Sequence, residues 1–322
     1  MKSEIETRFE RSAGIDRAAD EVTHIAATLR SGAEGSAALD LAAALARVAF
    51  ATPDTLARTY DAAALGWFGI PVGGATIASP PCSSTTVPAS LWPDFWQLVQ
   101  DSSNGIGALE ITPRTAMLAG HCAPEFMSRL GLACNAYPGV VDAAAAGFPS
   151  RFSLDALALC PEGSLGRLFH SQIVDNGFDL EVLDRDVLGL SSLPAPHDYI
   201  NARMLQTHDL IHLTAGYQLT SLHEIGISAF QLAQCGHGYS AMFLSVVTAT
   251  AAIAPQPAAL VFLLDVILGA WVHGRRTPPM MAIPWETVWH KSIVAIREAY
   301  GIAAFASPYP ADIIEQLQKA AA

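Results

Sequence analysis

Two histidines, an aspartate and a glutamate interrupt an apolar part of the chain, in the stretch HDLIHLTAGYQLTSLHE at residues 208–224. Each residue of an α-helix advances by about 100° and 1.5 Å, so His208 and His212 lie one turn apart on one face. Asp209 lies about 60° from His212 around the same helix. Histidine pairs at this spacing bind metal ions on helices, so the three side chains predict a helical metal site.

Glu224 joins this group only if the chain turns back. It follows His212 by twelve residues, about 18 Å along a straight helix, whereas metal–ligand bonds are about 2 Å long. Gly216 is suited to ending the first helix and Ser221 to starting the next. The sequence therefore predicts two helices, one turn and four ligands. Ser221-x-x-Glu224 also fits a capping box, which would account for the glutamate without a metal.

Charge balance favours the metal. Residues 204–274 contain no Lys or Arg, and their formal charges are Asp209, Glu224 and Asp265. A buried carboxylate without a partner costs on the order of several kcal/mol. Two of these three acids lie beside the histidines, so a bound divalent cation would neutralise them. The alternative is an arginine from a distant part of the chain.

The composition narrows the function classes. The chain has 322 residues, of which 51% are hydrophobic and 15% charged, with a net charge of −12. This acidity argues against a nucleic-acid partner, because phosphate binding needs clustered Lys and Arg. The five cysteines are far apart and form no Cys-x-x-Cys pair, which favours a reducing compartment over a disulfide framework. The N-terminus mixes acids and bases without an apolar core, so we expect no targeting peptide and a cytoplasmic location.

We expect an all-α, multi-helix bundle, because strand patterns are few and apolar residues recur at helical spacing. We divide the chain into N-terminal helices at 1–70, an insertion or lineage-specific region at 71–150 and a helical metal-binding region at 151–322. The last region is expected to form one compact unit with 1–70. Within it, the Asn-Gly pair at 176–177 predicts the end of a helix.

Two strongly apolar runs, 239–254 and 258–272, are separated by Pro-Gln-Pro. Each run is shorter than the roughly 20 residues that a membrane-spanning helix needs. Three interpretations are open: buried core helices, a lipid-facing or prenyl-chain-binding pair, and a transmembrane hairpin.

The pattern His-Asp-x-x-His followed by eleven residues and Glu224 resembles the signature of the Coq4 family of ubiquinone-biosynthesis proteins. The segment PEGSLGRLF at 161–169 and the run from WVHGRR to YGI at 271–302 resemble the family's flanking segments. The resemblance covers roughly residues 155–305, about half of the chain. Residues 71–150 do not align with the family pattern.

This resemblance implies an all-helical protein with a divalent metal, usually described as zinc. Its ligands would be His208, Asp209, His212 and Glu224. The implied activity is oxidative decarboxylation at ring carbon C1 of a polyprenylated 4-hydroxybenzoate-type precursor, with Glu224 and Asp209 as catalytic residues. The implied location is the inner surface of the cell membrane, without crossing it. The expected partners are that precursor, other ubiquinone-biosynthesis proteins and a second copy of the chain in a homodimer.

The substrate of such an enzyme has an apolar tail and an anionic head. Arg275 and Arg276 are therefore candidates for binding its carboxylate, since guanidinium groups suit bidentate contacts with carboxylates. A solvated or helix-capping basic pair is the structural alternative for these two residues.

Two other functions compete with the enzyme. One is a non-catalytic, lipid-binding scaffold that organises a quinone-biosynthesis complex around a structural metal. The other is an HD-type phosphohydrolase, which also uses an adjacent His-Asp pair. That class expects scattered further ligands and basic residues for phosphate, and the run without Lys or Arg counts against it. His223 points about 100° away from Glu224 on a helix and is expected to be structural.

Overall fold

The fold is all-α in a computed structural model that describes residues 2–32, 36–78, 85–181, 183–254 and 258–321. These residues form α-helices and short 3-10 helices and contain no β-strand, apart from one isolated antiparallel bridge between Ser164 and Ser292. The predicted fold class is confirmed. The Pro-Gln-Pro junction at 255–257, part of the break near 31–36 and part of the loop at 71–90 lie outside the described residues.

The α-helices of the described residues are α1 (Glu4–Ala13), α2 (Ala19–Arg30), α3 (Ala37–Phe50), α4 (Leu56–Phe68), α5 (Trp92–Ser103), α6 (Ala108–Met117), α7 (Phe126–Asn135), α8 (Val140–Ala145), α9 (Leu154–Ala158), α10 (Leu165–Asn176), α11 (His197–Ala215), α12 (Ser221–Cys235), α13 (Gly238–Ile253), α14 (Ala258–Arg276), α15 (Ile293–Tyr300) and α16 (Ile313–Ala321). Short 3-10 helices cover Pro53–Thr55, Ala89–Leu91, Leu118–His121, Leu190–Ser192, Met280–Ala282 and Trp285–Thr287.

The chain divides into two compact units, each built from two stretches of sequence, and the boundaries expected at 70 and 150 stay a prediction. The first contains residues 1–136 and 228–276, and the second contains residues 137–227 and 277–322. The helices α5 and α6, which lie in the region predicted as an insertion or lineage-specific region, pack against α13 within the first unit. Packing of apolar helix faces therefore joins segments that are far apart in sequence.

An aromatic cluster lies in the core of the first unit. Phe9 on α1 contacts Trp92, Phe95 and Trp96 on α5, with ring centroids 5.1–6.0 Å apart. The apolar helix α13 packs against α3, α5 and α14. Both apolar runs of the sequence thus form helices that contribute to this core, as the first of the three interpretations predicts.

Among the described residues, α14 is long and apolar enough to cross a membrane by length and composition alone. Half of the most apolar stretch of α14 is buried inside the protein. Its acidic residue Asp265 accepts hydrogen bonds from Arg30 at 2.8 Å and from the indole of Trp67 at 2.9 Å. A distant arginine therefore neutralises one of the three acids of the run without Lys or Arg.

The second unit contains α11, in which 14 of 19 residues are buried. An ion pair between Arg203 on this helix and Glu286, 2.6 Å apart, anchors it to the segment that precedes α15. Gln206 binds the same guanidinium and donates its amide to the carbonyl of Ser150. This internal network fixes the rotation of the helix that carries the predicted ligands.

Candidate metal centre

Helix α11, the turn after it and helix α12 form the predicted helix–turn–helix. Gly216 follows α11 in the left-handed region, with φ of 80°, where glycine is favoured. The N–H groups of Gly216 and Tyr217 both donate to the carbonyl of His212 and close the end of the helix. The next helix begins at Ser221 and carries Glu224 in its first turn. Both helix boundaries agree with the sequence prediction.

Three of the four predicted ligands come together. The Nε2 atoms of His208 and His212 lie 3.1 Å apart. One oxygen of Glu224 is 3.2 Å from the first of these nitrogens, and the other oxygen is 3.1 Å from the second. We call these three residues the ligand triangle. Two residues from α11 and one from α12 therefore direct nitrogen and oxygen atoms to one point.

The ligand triangle fits a zinc ion in size and chemistry. Tetrahedral zinc has bonds of about 2.0–2.2 Å to nitrogen and oxygen, which place its ligand atoms about 3.3 Å apart. The two nitrogens are 3.1 Å apart, and each has one of the two Glu224 oxygens at 3.1–3.2 Å, which is close to that spacing. Two nitrogens and one carboxylate also form the donor set of catalytic zinc sites, which leave a fourth position for water or substrate.

The surroundings of His212 fix which of its nitrogens faces the triangle. Its Nδ1 lies 3.1 Å from the carbonyl oxygen of Tyr217. A carbonyl can only accept, so Nδ1 carries the proton and Nε2 presents a lone pair. Metal-binding histidines commonly use such a backbone carbonyl to set their orientation. The contact with Tyr217 is therefore of the kind that orients such histidines.

Burial and charge differ across the triangle. The side chain of His212 is 1% exposed, whereas those of His208 and Glu224 are 29% and 43% exposed. Burial alone would raise the pKa of Glu224, but the neighbouring side chains of His208 and His212 outweigh it and lower that pKa below the usual range of a glutamate. Glu224 is therefore an ionised carboxylate that is open on one side to solvent or substrate.

Asp209 does not join the group formed by the other three. The described residues contain a cluster of possible ligand atoms within 4.8 Å of one another, and it consists of His208, His212 and Glu224. Asp209 is buried on α11. It follows His208 by one residue, so its side chain leaves the helix about 100° away from that ring. Its assignments as a ligand and as a catalytic residue stay predictions.

The capping-box alternative for Glu224 is wrong. The Ser221 N–H donates to Glu315 at 2.8 Å, and the Glu224 N–H donates to the carbonyl of Thr220. The carboxylate of Glu224 instead contacts the two histidines. Glu315 therefore caps the start of α12, the role that a capping box would give to Glu224. Burial would raise the pKa of Glu315, but the hydrogen bond from the Ser221 N–H outweighs it and lowers that pKa.

His223 is packed as a structural residue. Its Nδ1 accepts the N–H of Gln218 at 2.7 Å, and its ring contacts Tyr217 and Phe305. Burial lowers the pKa of His223 and keeps its ring neutral. These contacts agree with the expectation that it is not a ligand.

Arg275 and Arg276 have partners within the first unit. The side chain of Arg275 is 5% exposed and pairs with Asp61 at 3.2 Å. It also donates to the carbonyl of Ala75, and Arg276 donates to the carbonyl of Val72 at 2.7 Å. Their proposed contact with a substrate carboxylate stays a prediction.

Sequence reasoning missed the residues that hold the turn between the ligands. Arg297 on α15 donates to the carbonyls of Leu213 and Thr214 at the end of α11. The N–H of Phe305 donates to the carbonyl of Ala215 at 2.8 Å. Arg297 lies within the C-terminal run that resembles the family pattern, but nothing in its spacing connects it to residues more than eighty positions earlier.

Comparisons with known proteins converge on one family. Residues 149–306 match the family model described as "Coenzyme Q (ubiquinone) biosynthesis protein Coq4". The mouse protein named "Ubiquinone biosynthesis protein COQ4 homolog, mitochondrial" is 26% identical over 166 residues, which cover 51% of this chain and 58% of the relative. The human protein of that name is 27% identical over 157 residues, covering 48% and 56%. The chain thus spans somewhat more than half the length of the curated relatives it matches.

The fold also has a counterpart among solved structures. A crystal structure of a candidate ubiquinone biosynthesis protein from Nostoc punctiforme PCC 73102 matches with a TM-score of 0.50 and 24% sequence identity. The match covers 66% of this chain and 96% of that one. At this identity the likeness shows a shared helical fold.

Proposed function

This chain belongs to the Coq4 family through residues 149–306, and on that premise we propose that it is a metal-dependent enzyme of ubiquinone biosynthesis. Its reaction would replace the C1 carboxyl group of a polyprenylated 4-hydroxybenzoate-type precursor with a hydroxyl group. The names of its mouse and human relatives support the pathway. The ligand triangle supports the chemistry.

The observation that carries the proposal is the convergence of His208, His212 and Glu224. The two imidazole nitrogens lie 3.1 Å apart, and each has a different oxygen of the Glu224 carboxylate at 3.1–3.2 Å. A hydrogen-bonded pair of glutamate and histidine needs one imidazole, whereas two imidazole nitrogens and one carboxylate form a donor set that zinc sites use. A divalent cation satisfies all three. We propose zinc, because the donor set and the spacing suit it.

The reaction needs an oxidant. The carboxylic acid, one water and one dioxygen give the phenol, carbon dioxide and hydrogen peroxide, so two electrons pass from the substrate to dioxygen. When bound, a Lewis-acidic metal polarises the substrate carboxylate or lowers the pKa of water. The ionised Glu224 is a catalytic residue in this proposal because its negative charge would hold the metal together with the two ring nitrogens. We assign Asp209, one residue after His208, to the same catalytic group.

The proposed substrate has a long apolar tail, so the enzyme would work at a membrane surface beside other ubiquinone-biosynthesis proteins. We propose a peripheral rather than a spanning association. The half-buried state of α14 supports this choice, because its buried half already packs within the protein.

The proposal is tested by supplying Glu224→Ala to a host that lacks the gene. We expect a C1-carboxylated precursor to accumulate, while the purified variant stays folded and still binds prenylated ligand. The matched control is Glu298→Gln, which removes an exposed carboxylate from α15 and should restore synthesis fully. If Glu224→Ala also restores synthesis, or if deletion of the gene removes all intermediates, the protein acts as a scaffold instead.

A further inference from the structure

Three side chains of the C-terminal part of the chain meet the turn that connects the two ligand-bearing helices. They are Arg297 on α15, Phe305 in the segment after it, and Glu315 on α16. We call these three residues the C-terminal clasp. All of them lie in the second compact unit, as does the ligand triangle.

Arg297 binds the end of α11. Its Nε donates to the carbonyl of Thr214 at 2.7 Å and its Nη2 donates to the carbonyl of Leu213 at 3.2 Å. The last carbonyls of a helix have no partner within the helix, and the negative end of its dipole favours a cation there. A planar guanidinium group bridges two such carbonyls better than an ammonium group does. The helix end next to His212 is thereby fixed.

Phe305 binds the turn itself. Its N–H donates to the carbonyl of Ala215, and its ring stacks on Tyr217 with centroids 4.6 Å apart. The backbone comes so close that a Cβ at Gly216 would lie 3.0 Å from the Cβ of Ala304. The turn is therefore held from one side by backbone and from the other by an aromatic ring. Tyr217 is the residue whose carbonyl orients His212.

Glu315 binds the start of α12. Its carboxylate accepts the N–H of Ser221 at 2.8 Å, three residues before Glu224. Thr220 donates its hydroxyl to the carbonyl of Ala311 at 2.8 Å, which joins the same two segments. The family match ends at residue 306, so these last two contacts come from a part of the chain outside it.

We propose that the C-terminal clasp positions the ligand triangle. Arg297 and Phe305 set the geometry of the turn, and the Tyr217 carbonyl passes that geometry to the Nδ1 proton of His212. Glu315 sets the start of the helix that carries Glu224. The clasp contacts described above are with the turn and the helix ends rather than with the ligand side chains, so the proposed role is positioning rather than catalysis. The effect on metal affinity rests on the proposed metal site, whereas the effect on His212 does not.

The test compares Arg297→Met, Arg297→Lys and the matched control Arg8→Met, which removes an exposed arginine from α1. Zinc affinity is measured by competition with a chelator. Changes to groups that orient a metal-binding histidine cost about 10–100-fold in affinity, so we expect Arg297→Met to weaken zinc binding by about tenfold. Arg297→Lys keeps the charge but not the two-pronged contact, and its affinity should fall between those of Arg297→Met and the wild type. Arg8→Met should leave it unchanged.

A second measurement needs no metal. Nitrogen-15 NMR of the histidine rings in the metal-free protein should show His212 protonated at Nδ1 in the wild type and in Arg8→Met. In Arg297→Met we expect an average of the two neutral forms. If Arg297→Met does not fold, Arg297→Lys gives the same comparison with a smaller effect.

The outcomes separate the two proposals. A lower melting temperature with unchanged zinc affinity and unchanged His212 signals would show that Arg297 is merely structural and would overturn the clasp. A wild-type protein that binds no zinc would overturn the proposed function alone. In that case the histidine signals still decide whether the clasp positions His212.

Discussion

Two helix-borne carboxylates, Glu224 in the second unit and Asp61 in the first, resemble each other in exposure and differ in their partners. Their side chains are 43% and 34% exposed. Asp61 accepts hydrogen bonds from Arg275 at 3.2 Å and from the indole of Trp271 at 2.8 Å. Glu224 faces His208 and His212 at comparable distances.

The difference lies in what each partner can offer. A guanidinium group is always charged and has no lone pair to donate. The charges of Asp61 and Arg275 therefore neutralise each other. A neutral imidazole offers a lone pair, so the two histidines and Glu224 together can take up a cation. The identity of the nitrogen donor, rather than the distance or burial of the acid, separates a structural ion pair from a candidate metal site.

Replacement of His212 by alanine should have the largest effect on zinc binding. Structural zinc sites gain about 10–16 kcal/mol from their ligands together, so the loss of one ligand should cost about 3 kcal/mol, or more than a hundredfold in zinc affinity. Chelator competition measures this loss. The exposed His24→Ala on α2 serves as the control and should bind zinc like the wild type. Equal affinity of His212→Ala and wild type would place the metal elsewhere.

A lower pH should weaken the binding of zinc at the site that contains Glu224. Protons compete with zinc for imidazole nitrogens, so we expect zinc affinity to fall by about tenfold or more between pH 7.5 and pH 5.5. Glu224 does not cause this loss, because its lowered pKa keeps it ionised throughout that range. The contribution of the Glu224 carboxylate to the stability of the fold is present above the ordinary pKa of a glutamate. This contribution is lost as the pH falls through the lowered pKa. A zinc affinity that is constant down to pH 5.5 would argue against histidine ligands.

Asp61→Asn should affect stability and leave zinc binding intact. The change leaves the buried Arg275 without its carboxylate, which costs about 3–5 kcal/mol in a fully buried pair. Because Asp61 is one-third exposed, solvent reduces the cost, and we expect a loss of about 2 kcal/mol in the free energy of unfolding. Urea denaturation measures it, with the exposed Asp142→Asn as the control. Loss of zinc in Asp61→Asn would show that this ion pair is part of the metal site.

Asp265→Asn should have the smallest effect. It removes a pair with Arg30, whose side chain is 46% exposed, and partly exposed pairs contribute at most about 1 kcal/mol. We expect a decrease of that size in the free energy of unfolding and no change in zinc content. A larger decrease would indicate that the indole of Trp67 depends on this carboxylate as its acceptor.

Local patterns predicted the elements that carry the site. Gly216 and Gly177 each end a helix where expected, since glycine adopts the left-handed conformation at that position without strain. The spacing of His208 and His212 placed both rings on one face, and the need for a turn brought Glu224 back to them. These inferences succeed because they depend on residues close together in sequence.

The long-range contacts could not be predicted from the sequence. Asp265 lies in the run without Lys or Arg, but Arg30 reaches it from 235 residues away. The sequence makes Arg275 a candidate for binding a substrate carboxylate. In the structure its guanidinium group pairs with Asp61, which lies 214 residues earlier. The clasp residue Glu315 belongs to the same category. In each case the partner is fixed by tertiary packing, for which helical periodicity carries no information.

The most direct test of the account is the metal content of the purified protein. Elemental analysis should find about one equivalent of a divalent transition metal per chain in the wild type, with zinc the expected ion. Glu224→Ala should lose most of it, and Asp61→Asn should keep it. Less than about half an equivalent of any transition metal in the wild type, or full retention in Glu224→Ala, would contradict the claim that His208, His212 and Glu224 form a metal centre.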